Sequence, residues 1–186
     1  MLSRIMNHRR IQMFTHDENL FIMKFPKIIV ALLFAALQAT SLTAHADSAK
    51  LKPFTSGSYR QLLDAYTDKP LVLMIWSVNC TSCRKKMPVM SELRQRMPEV
   101  NLIMLATDDA SASEQVDSIL TEHKLKQTDN WIFADANPQK LRYEIDPKWY
   151  GEVPRTYFID KNHQRIGISG SIPDEKIEAM IKTILN

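Results

Sequence analysis

LVLMIWSVNCTSCRKKMP, residues 71–88, is the stretch that decides the fold of this chain. Its first six residues form a continuous apolar run of the length of a buried strand. Beyond that run, apolar side chains recur at helical spacing, at Met87, Met90, Leu93 and Met97. The two cysteines of the sequence, Cys80 and Cys83, therefore fall where a buried strand turns into a helix.

The start of a helix favours a reactive thiolate at Cys80. Unpaired backbone N–H groups and the positive end of the helix dipole lie there, and both stabilise a thiolate over a thiol. Arg84 and Lys86 add positive charge nearby, which lowers the pKa of a thiol further. Cys83 is expected on the next turn, pointing inward. The spacing therefore predicts that Cys80 attacks a disulfide of a partner and that Cys83 resolves the mixed disulfide.

Other uses of a cysteine pair can be weighed against redox chemistry. A structural zinc site needs two further ligands, and after residue 46 the only histidines are His123 and His163, in different segments. A purely structural disulfide across so short a loop would remove little entropy from the unfolded chain. A metallochaperone-like Cu(I) site remains the alternative, because two thiolates can bind this ion, with Met87 as the nearest further ligand. For the favoured redox interpretation we expect no metal.

The first 46 residues predict targeting rather than fold. Residues 23–46 have the layout of a secretory signal peptide, with two lysines before an apolar run and an A-x-A cleavage site at residues 44–46. The run is short for a transmembrane helix, and an uncleaved membrane anchor is the alternative. Residues 1–22 precede the charged end at which such a peptide begins. We interpret them as a mis-set start, with Met23 as the initiator.

Residues 47–186 are predicted to form one thioredoxin-like domain, long enough for a single apolar core. Basic and acidic residues are equal in number there, so the formal charge of +3 of the whole chain comes from its first 46 residues. This balance argues against nucleic-acid binding and leaves the signal segment, if uncleaved, as the expected contact with a membrane. Export also suits a protein with one cysteine pair.

The order of the remaining patterns predicts an α/β domain. The expected elements are a helix over residues 59–66, a strand over 101–107, a helix opened by a capping box at 111–114, a strand at 131–133, helical turns over 138–143, a hairpin of strands at 155–160 and 165–170, and a terminal helix from Pro173. Together with residues 71–88 they give a mixed central sheet with helices on both faces. That is the thioredoxin fold with an insertion between its halves.

Nearly all of residues 53–186 resembles the TlpA-like family of exported thiol-disulfide oxidoreductases. The resemblance rests on the strand-Trp-x-x-x-Cys-x-x-Cys-Arg run ending at Arg84, on Pro88, on Thr107-Asp108, and on VPRTYFID at residues 153–160. It implies that Pro154 is in cis and lies against the two cysteines. The backbone of Val153 would then be free to pair with an extended substrate segment. An ordinary trans proline at the start of an edge strand is the alternative.

Four positions or segments depart from the family pattern. Met74 and Lys86 stand where relatives carry a carboxylate that could take the proton of the resolving thiol, so the detailed acid–base roles do not carry over. The residues Asn79 and Thr81-Ser82 replace an aromatic and prolines, which leaves the direction of electron flow open. The connection over residues 143–152 is longer than usual.

Three aromatic residues near the predicted site have two interpretations each. We expect Trp149 and Tyr150 to pack onto the core, and the alternative is a lip beside Arg155 on which a partner docks. Trp76 could cover the disulfide or be a plain core residue.

Taken together, the sequence predicts a periplasmic thiol-disulfide oxidoreductase, and the family resemblance implies that it reduces disulfides in exported proteins. Its partners would be those exported thiols and disulfides and an electron donor that the sequence does not identify. No organic cofactor is expected.

Overall fold

The computed structural model describes residues 51–186. The predictions for residues 1–22 and 23–46 lie outside this range. The described strands are β1 (Lys52–Phe54), β2 (Leu71–Trp76), β3 (Asn101–Ala106), β4 (Asp129–Phe133), β5 (Arg155–Ile159) and β6 (Arg165–Ser169). The described helices are α1 (Ser58–Ala65), α2 (Thr81–Arg96), α3 (Ser113–Glu122), α4 (Pro138–Ile145) and α5 (Asp174–Leu185).

The strands of the described part form one mixed sheet in the order β1-β4-β3-β2-β5-β6. The first four in this order run parallel to one another, and β5 pairs antiparallel with both β2 and β6. Because β2 lies between β3 and β5, it is central and buried along its whole length. The predicted mixed sheet and hairpin are confirmed.

Two apolar layers cover the two faces of the sheet. Alternate residues of β2 point to opposite faces, as the pleat requires, so Met74 and Trp76 belong to one layer and Leu73 and Ile75 to the other. Helices α2, α3 and α5 contribute to the layer that contains Trp76 and Cys83, which we call the cysteine layer. Helices α1 and α4 contribute to the other, which we call the far layer. Helices therefore lie on both faces, and the predicted fold is confirmed.

The predicted capping box at residues 111–114 is wrong. Asp109 caps this region instead, because its side chain accepts a hydrogen bond from the backbone N–H of Ser111. The chain then forms a short 3-10 helix, Ala110–Ala112, and α3 begins at Ser113 without a side-chain cap. Strand β1, which pairs with β4, was not predicted.

Candidate active site

Cys80 occupies the N-cap of α2 and forms a disulfide with Cys83, with 5.2 Å between their Cα atoms. The Sγ atom of Cys80 accepts a hydrogen bond of 3.1 Å from the backbone N–H of Cys83, so the sulfur takes the place of the usual oxygen cap. No acidic residue lies in the first turn of α2. The N–H group and the helix dipole thus act on the sulfur of Cys80 in the way that stabilises a thiolate.

The two sulfur-bearing residues differ in exposure. Cys83 is fully buried in the cysteine layer, whereas Cys80 is only partly buried and packs against the edge of that layer. A partner protein can therefore reach Cys80, while Cys83 is shielded behind it.

Asp108 anchors the loop that joins β2 to the cysteines. Its carboxylate accepts hydrogen bonds from the Ser77 hydroxyl at 2.9 Å and from the Val78 backbone N–H at 3.0 Å. The carbonyl of Ser77 in turn accepts a hydrogen bond from the N–H of Cys80 at 3.0 Å. In the sequence, Asp108 stands out only as part of the Thr107-Asp108 motif. Asp108 lies just beyond the end of β3. Because β3 is parallel to β2 and pairs with it, a residue at this position lies beside the loop that follows β2, and this placement could have identified Asp108.

Both cations that were predicted to tune the cysteines have carboxylate neighbours. Lys86 Nζ lies 2.5 Å from an oxygen of Asp174 in the first turn of α5, and this pair joins α2 to α5. Arg84 Nη2 lies 3.6 Å from Glu122 at the end of α3. Each ion pair offsets part of the field that its cation exerts on the sulfurs. The tuning of the thiol pKa by Arg84 and Lys86 stays a prediction.

Pro154 follows a cis peptide bond at Val153–Pro154 in the structure. Pro154 is buried, and its carbonyl accepts a hydrogen bond of 2.8 Å from the N–H of Gly170. It lines a small cavity together with Met74 and Lys86, the two positions at which the resemblance led us to expect a carboxylate. The backbone N–H and C=O of Val153 make no hydrogen bond within residues 51–186.

Trp76 is fully buried in the cysteine layer, together with Cys83. Its indole N–H has no hydrogen-bond partner in the described part of the chain. The structure therefore places it in the core, in the same apolar cluster as the disulfide.

The expectation for the two aromatics before Val153 is right for one of them and wrong for the other. Trp149 is buried in the far layer, and its indole N–H donates to the carbonyl of Glu152 at 2.9 Å. Tyr150 is 91% exposed. Gly151 follows the two aromatics at a φ of 101°, a backbone conformation that favours glycine.

A partly buried ionic network, which no sequence pattern predicted, holds this connection to the hairpin. Asp146 accepts hydrogen bonds from the Tyr157 hydroxyl at 3.0 Å and from Arg155 Nη2 at 3.2 Å, and Arg165 lies 3.6 Å away. Burial acts to raise the pKa of Asp146. The hydrogen bonds from the Lys148 N–H and from Tyr157, with the two arginines, outweigh it and hold that pKa below its ordinary value.

The same network acts on Tyr157, which is fully buried. Burial raises the pKa of Tyr157 to about 12, although Arg155 acts in the opposite direction. The tyrosine therefore stays protonated and keeps its hydroxyl available as a donor at neutral pH.

The described residues contain neither a cluster of metal ligands nor a helix that could cross a membrane. Among residues 51–186, no three or more His, Cys, Asp or Glu side chains are grouped so that they could hold a metal ion. Within the same range, no helix has both the length and the apolar character needed to cross a bilayer.

The fold and the site define a thioredoxin-fold protein with a C-x-x-C disulfide at the start of a helix. A family model described as Thioredoxin-like matches residues 68–164, more than half of the sequence. The chain belongs to this thioredoxin-like family. This match, with curated relatives named as thiol-disulfide oxidoreductases, confirms the expected family.

Two curated relatives are both named thiol-disulfide oxidoreductase ResA, from Bacillus thuringiensis (strain Al Hakam) and from Bacillus anthracis. Each is 27% identical to this chain over 117 residues, which cover 62% of this chain and 64% of the relative. The match thus spans just under two thirds of the length of these relatives.

The solved structures give the same fold. A secreted Mycobacterium tuberculosis disulfide oxidoreductase, described as homologous to E. coli DsbE, has a TM-score of 0.52 at 15% identity, covering 64% of this chain and 85% of its own. A putative thiol:disulfide interchange protein DsbE from Chlorobium tepidum has a TM-score of 0.54 at 19% identity, covering 67% of this chain and 85% of its own.

Proposed function

We propose that this protein is a thiol-disulfide oxidoreductase in which Cys80 is the nucleophile and Cys83 the resolving thiol. The observation that carries the proposal is the difference between the two sulfurs, since Cys80 caps α2 within reach of a partner and Cys83 is fully buried behind it. A structural disulfide does not require its two sulfurs to differ in exposure. A nucleophile must be exposed to the partner and its resolving thiol must be shielded, so these two roles do require the difference.

The reaction transfers two electrons in two exchanges. The thiolate of Cys80 attacks one sulfur of a partner disulfide, so that a mixed disulfide forms and the second partner sulfur leaves as a thiolate. Cys83 then loses its proton and attacks the sulfur of Cys80. The Cys80–Cys83 disulfide forms, the first partner sulfur leaves, and the partner is left with two thiols after protonation.

The residues around the pair support these steps. The N–H of Cys83 and the dipole of α2 stabilise the thiolate of Cys80, and Arg84 and Lys86 add positive charge. The backbone of Val153, which has no partner in the described residues, offers an edge to which an extended partner segment can hydrogen-bond, with Pro154 behind it. Trp76 supports the pair from the core.

The proposed location is the periplasm, and the proposed direction is reduction of disulfides in exported proteins. Support comes from the signal-like residues 23–46 and from relatives named ResA and DsbE. Residues 47–186 would be the mature domain, unless the segment stays uncleaved as an anchor. A reductase of this kind needs a separate electron donor, because the pair is left oxidised after each turnover.

Trapping variants test the cysteine roles. Cys83→Ser is expected to stall partners as mixed disulfides on Cys80 that reductant releases, whereas Cys80→Ser should trap far fewer, because Cys83 is buried. Equal trapping by both variants would contradict the assignment. If Cys83→Ser trapped nothing while the reduced wild type bound Cu(I) tightly, the function would instead be a Cu(I)-binding module.

The reduction potential of the pair tests the direction. Equilibration in thiol buffers followed by alkylation and mass measurement should give a value near that of thioredoxin, roughly −270 mV. A value near roughly −120 mV would make the protein an oxidant and contradict the proposed direction.

A further inference from the structure

An open groove lies beside Cys80, between the start of α2 and the end of α3. We call it the basic groove, and it is lined by Val78, Asn79, Thr81, Arg84, Lys85, Pro88 and His123. Asn79 and Thr81 are the two neighbours of Cys80 in the sequence, and Cys80 itself does not line the groove. The groove therefore adjoins the backbone around Cys80 and extends from there along α2.

The charges of this groove have one sign. Lys85 is exposed and takes part in no ion pair within residues 51–186, while Arg84, 44% exposed, has Glu122 at 3.6 Å outside the lining. No acidic side chain lines the groove. At His123 the Nε2 atom is buried and lacks a hydrogen-bond partner among the described residues. The groove thus offers the unpaired charge of Lys85 and the loosely paired charge of Arg84, whereas the buried Nε2 atom of His123 is out of reach of a ligand.

We propose that the basic groove binds an acidic segment of the partner protein, next to the partner cysteine that exchanges with Cys80. This inference rests on the proposed function, since the occupant is positioned by its mixed disulfide. Negatively charged side chains would meet Lys85 and Arg84, and the polar residues Asn79 and Thr81 would face the segment close to the sulfur. Such complementarity raises the rate of encounter and selects among partners.

The length of the groove limits where the acidic residues lie. Along α2 it extends from Thr81 to Pro88, which is about 10 Å at 1.5 Å per residue. An extended chain covers that distance in about three residues. The partner is therefore expected to carry Asp or Glu within about three positions of its reactive cysteine.

A nucleic acid is a poorer occupant of this groove. Its lining contains no Phe, Tyr or Trp on which bases could stack. Residues 47–186 also carry equal numbers of basic and acidic residues, unlike the basic domains that bind phosphate backbones.

The test uses two disulfide-bonded peptides that differ only in having Glu or Gln at positions two and three from one cysteine. For each peptide we measure the rate of reduction by the reduced protein and the rate of reduction by dithiothreitol alone. The ratio of the two rates corrects for differences in the intrinsic reactivity of the peptides. We expect the Glu peptide to be preferred roughly tenfold at low salt, with the preference falling as salt is added.

Lys85→Glu should abolish or reverse this preference. Lys161→Glu is the matched control, because it makes the same charge change in the exposed turn of the hairpin, at the end of the sheet away from Cys80, and it should keep the preference. An equal rate for the two peptides, a preference that salt does not change, or an unchanged preference in Lys85→Glu would overturn the inference.

An uncharged small disulfide separates this inference from the proposed function. If the reduced wild-type protein fails to reduce 2-hydroxyethyl disulfide, the proposed function itself fails. If it reduces that compound but shows no preference between the peptides, only the basic groove is refuted.

Discussion

Asp108 holds the active-site loop by two hydrogen bonds, and this makes it a positioning residue for Cys80. It accepts from the hydroxyl of Ser77 and from the N–H of Val78, and Val78 is 8% exposed. Removing the carboxylate leaves a buried donor without a partner. A buried donor without a partner costs about 1–3 kcal/mol.

Asp108→Ala is therefore expected to lower the free energy of unfolding by about 1–3 kcal/mol and to slow exchange at Cys80. Chemical denaturation and the rate of reduction of a small disulfide measure the two effects. Asp109→Ala is the control, since this neighbouring carboxylate caps only the exposed 3-10 turn. Equal losses in both variants would show that Asp108 has no special place in the loop.

At the scale of residues, what the sequence could predict was local. The capping position of Cys80 and the inward position of Cys83 follow from their three-residue spacing at the start of a helix. The contact of Asp108 with Val78 spans thirty positions of the chain, so it depends on which strands lie side by side. The burial of Trp149 and the exposure of Tyr150 likewise could not be predicted, because the two aromatics are adjacent and no apolar periodicity separates them.

At the scale of elements, β6 fits against β5 because Gly167 has no side chain. A Cβ atom there would lie 2.5 Å from Arg155 Nη2 and 2.6 Å from the ring of Tyr157. That ring is fully buried, so it has no free space into which to move.

Gly167→Ala should lower the free energy of unfolding by about 1–3 kcal/mol through overpacking, and it should shift the aromatic NMR signals of Tyr157. Gly170→Ala provides the comparison, because its φ of 84° strains an alanine although no atom lies within 4 Å. That variant should lose about 1–2 kcal/mol from backbone strain and leave the signals of Tyr157 unchanged. Unchanged tyrosine signals in Gly167→Ala would contradict the proposed contact.

The elements with strong local patterns were predicted, and the exceptions have physical causes. The apolar run of β2 and the hairpin of β5 and β6 carry their own signals. Strand β1 consists of only Lys-Pro-Phe, and its pairing with β4 is what makes it a strand. At residues 111–114 no capping box forms, because the upstream Asp109 caps a 3-10 helix that begins before Ser111.

At the scale of the whole molecule, Asp146 links the long connection to both strands of the hairpin, and this link makes stability depend on pH. The pKa of Asp146 is lower in the folded protein than in the unfolded chain, where it is about 3.9. Its contribution to the free energy of unfolding is therefore present above about pH 4 and is lost as the pH falls through the folded value.

Asp146→Asn should accordingly reduce stability at pH 7 and flatten the fall in stability below about pH 4. Urea denaturation of both proteins between pH 7 and pH 2 measures the two slopes. Asp160→Asn, in the exposed turn at the opposite end of the hairpin, is the matched control, although its carboxylate also accepts backbone hydrogen bonds locally. The same slope in Asp146→Asn as in the wild type would contradict the role of this network.

The architecture as a whole could be predicted because binary patterns and connection order specify it. The network around Asp146 could not be predicted. Arginine is ordinarily exposed and tyrosine counts as apolar in a hydrophobic pattern, so nothing in the sequence indicates that Arg155, Tyr157 and Arg165 meet this carboxylate. The ion pairs of Arg84 and Lys86 were also not predicted, because their partners Glu122 and Asp174 lie on other helices, far away in the sequence.

The division of the interior into two layers has a consequence for protein engineering. The disulfide touches only the cysteine layer, so the far layer is separated from the reacting sulfurs by the sheet. Residues such as Leu62 and Leu141 can therefore be redesigned for heat resistance while the redox properties of the molecule are retained. Substitutions should avoid the residues around Val153, which packs against both layers, and elsewhere in the far layer the thermal limit can be adjusted apart from the chemistry.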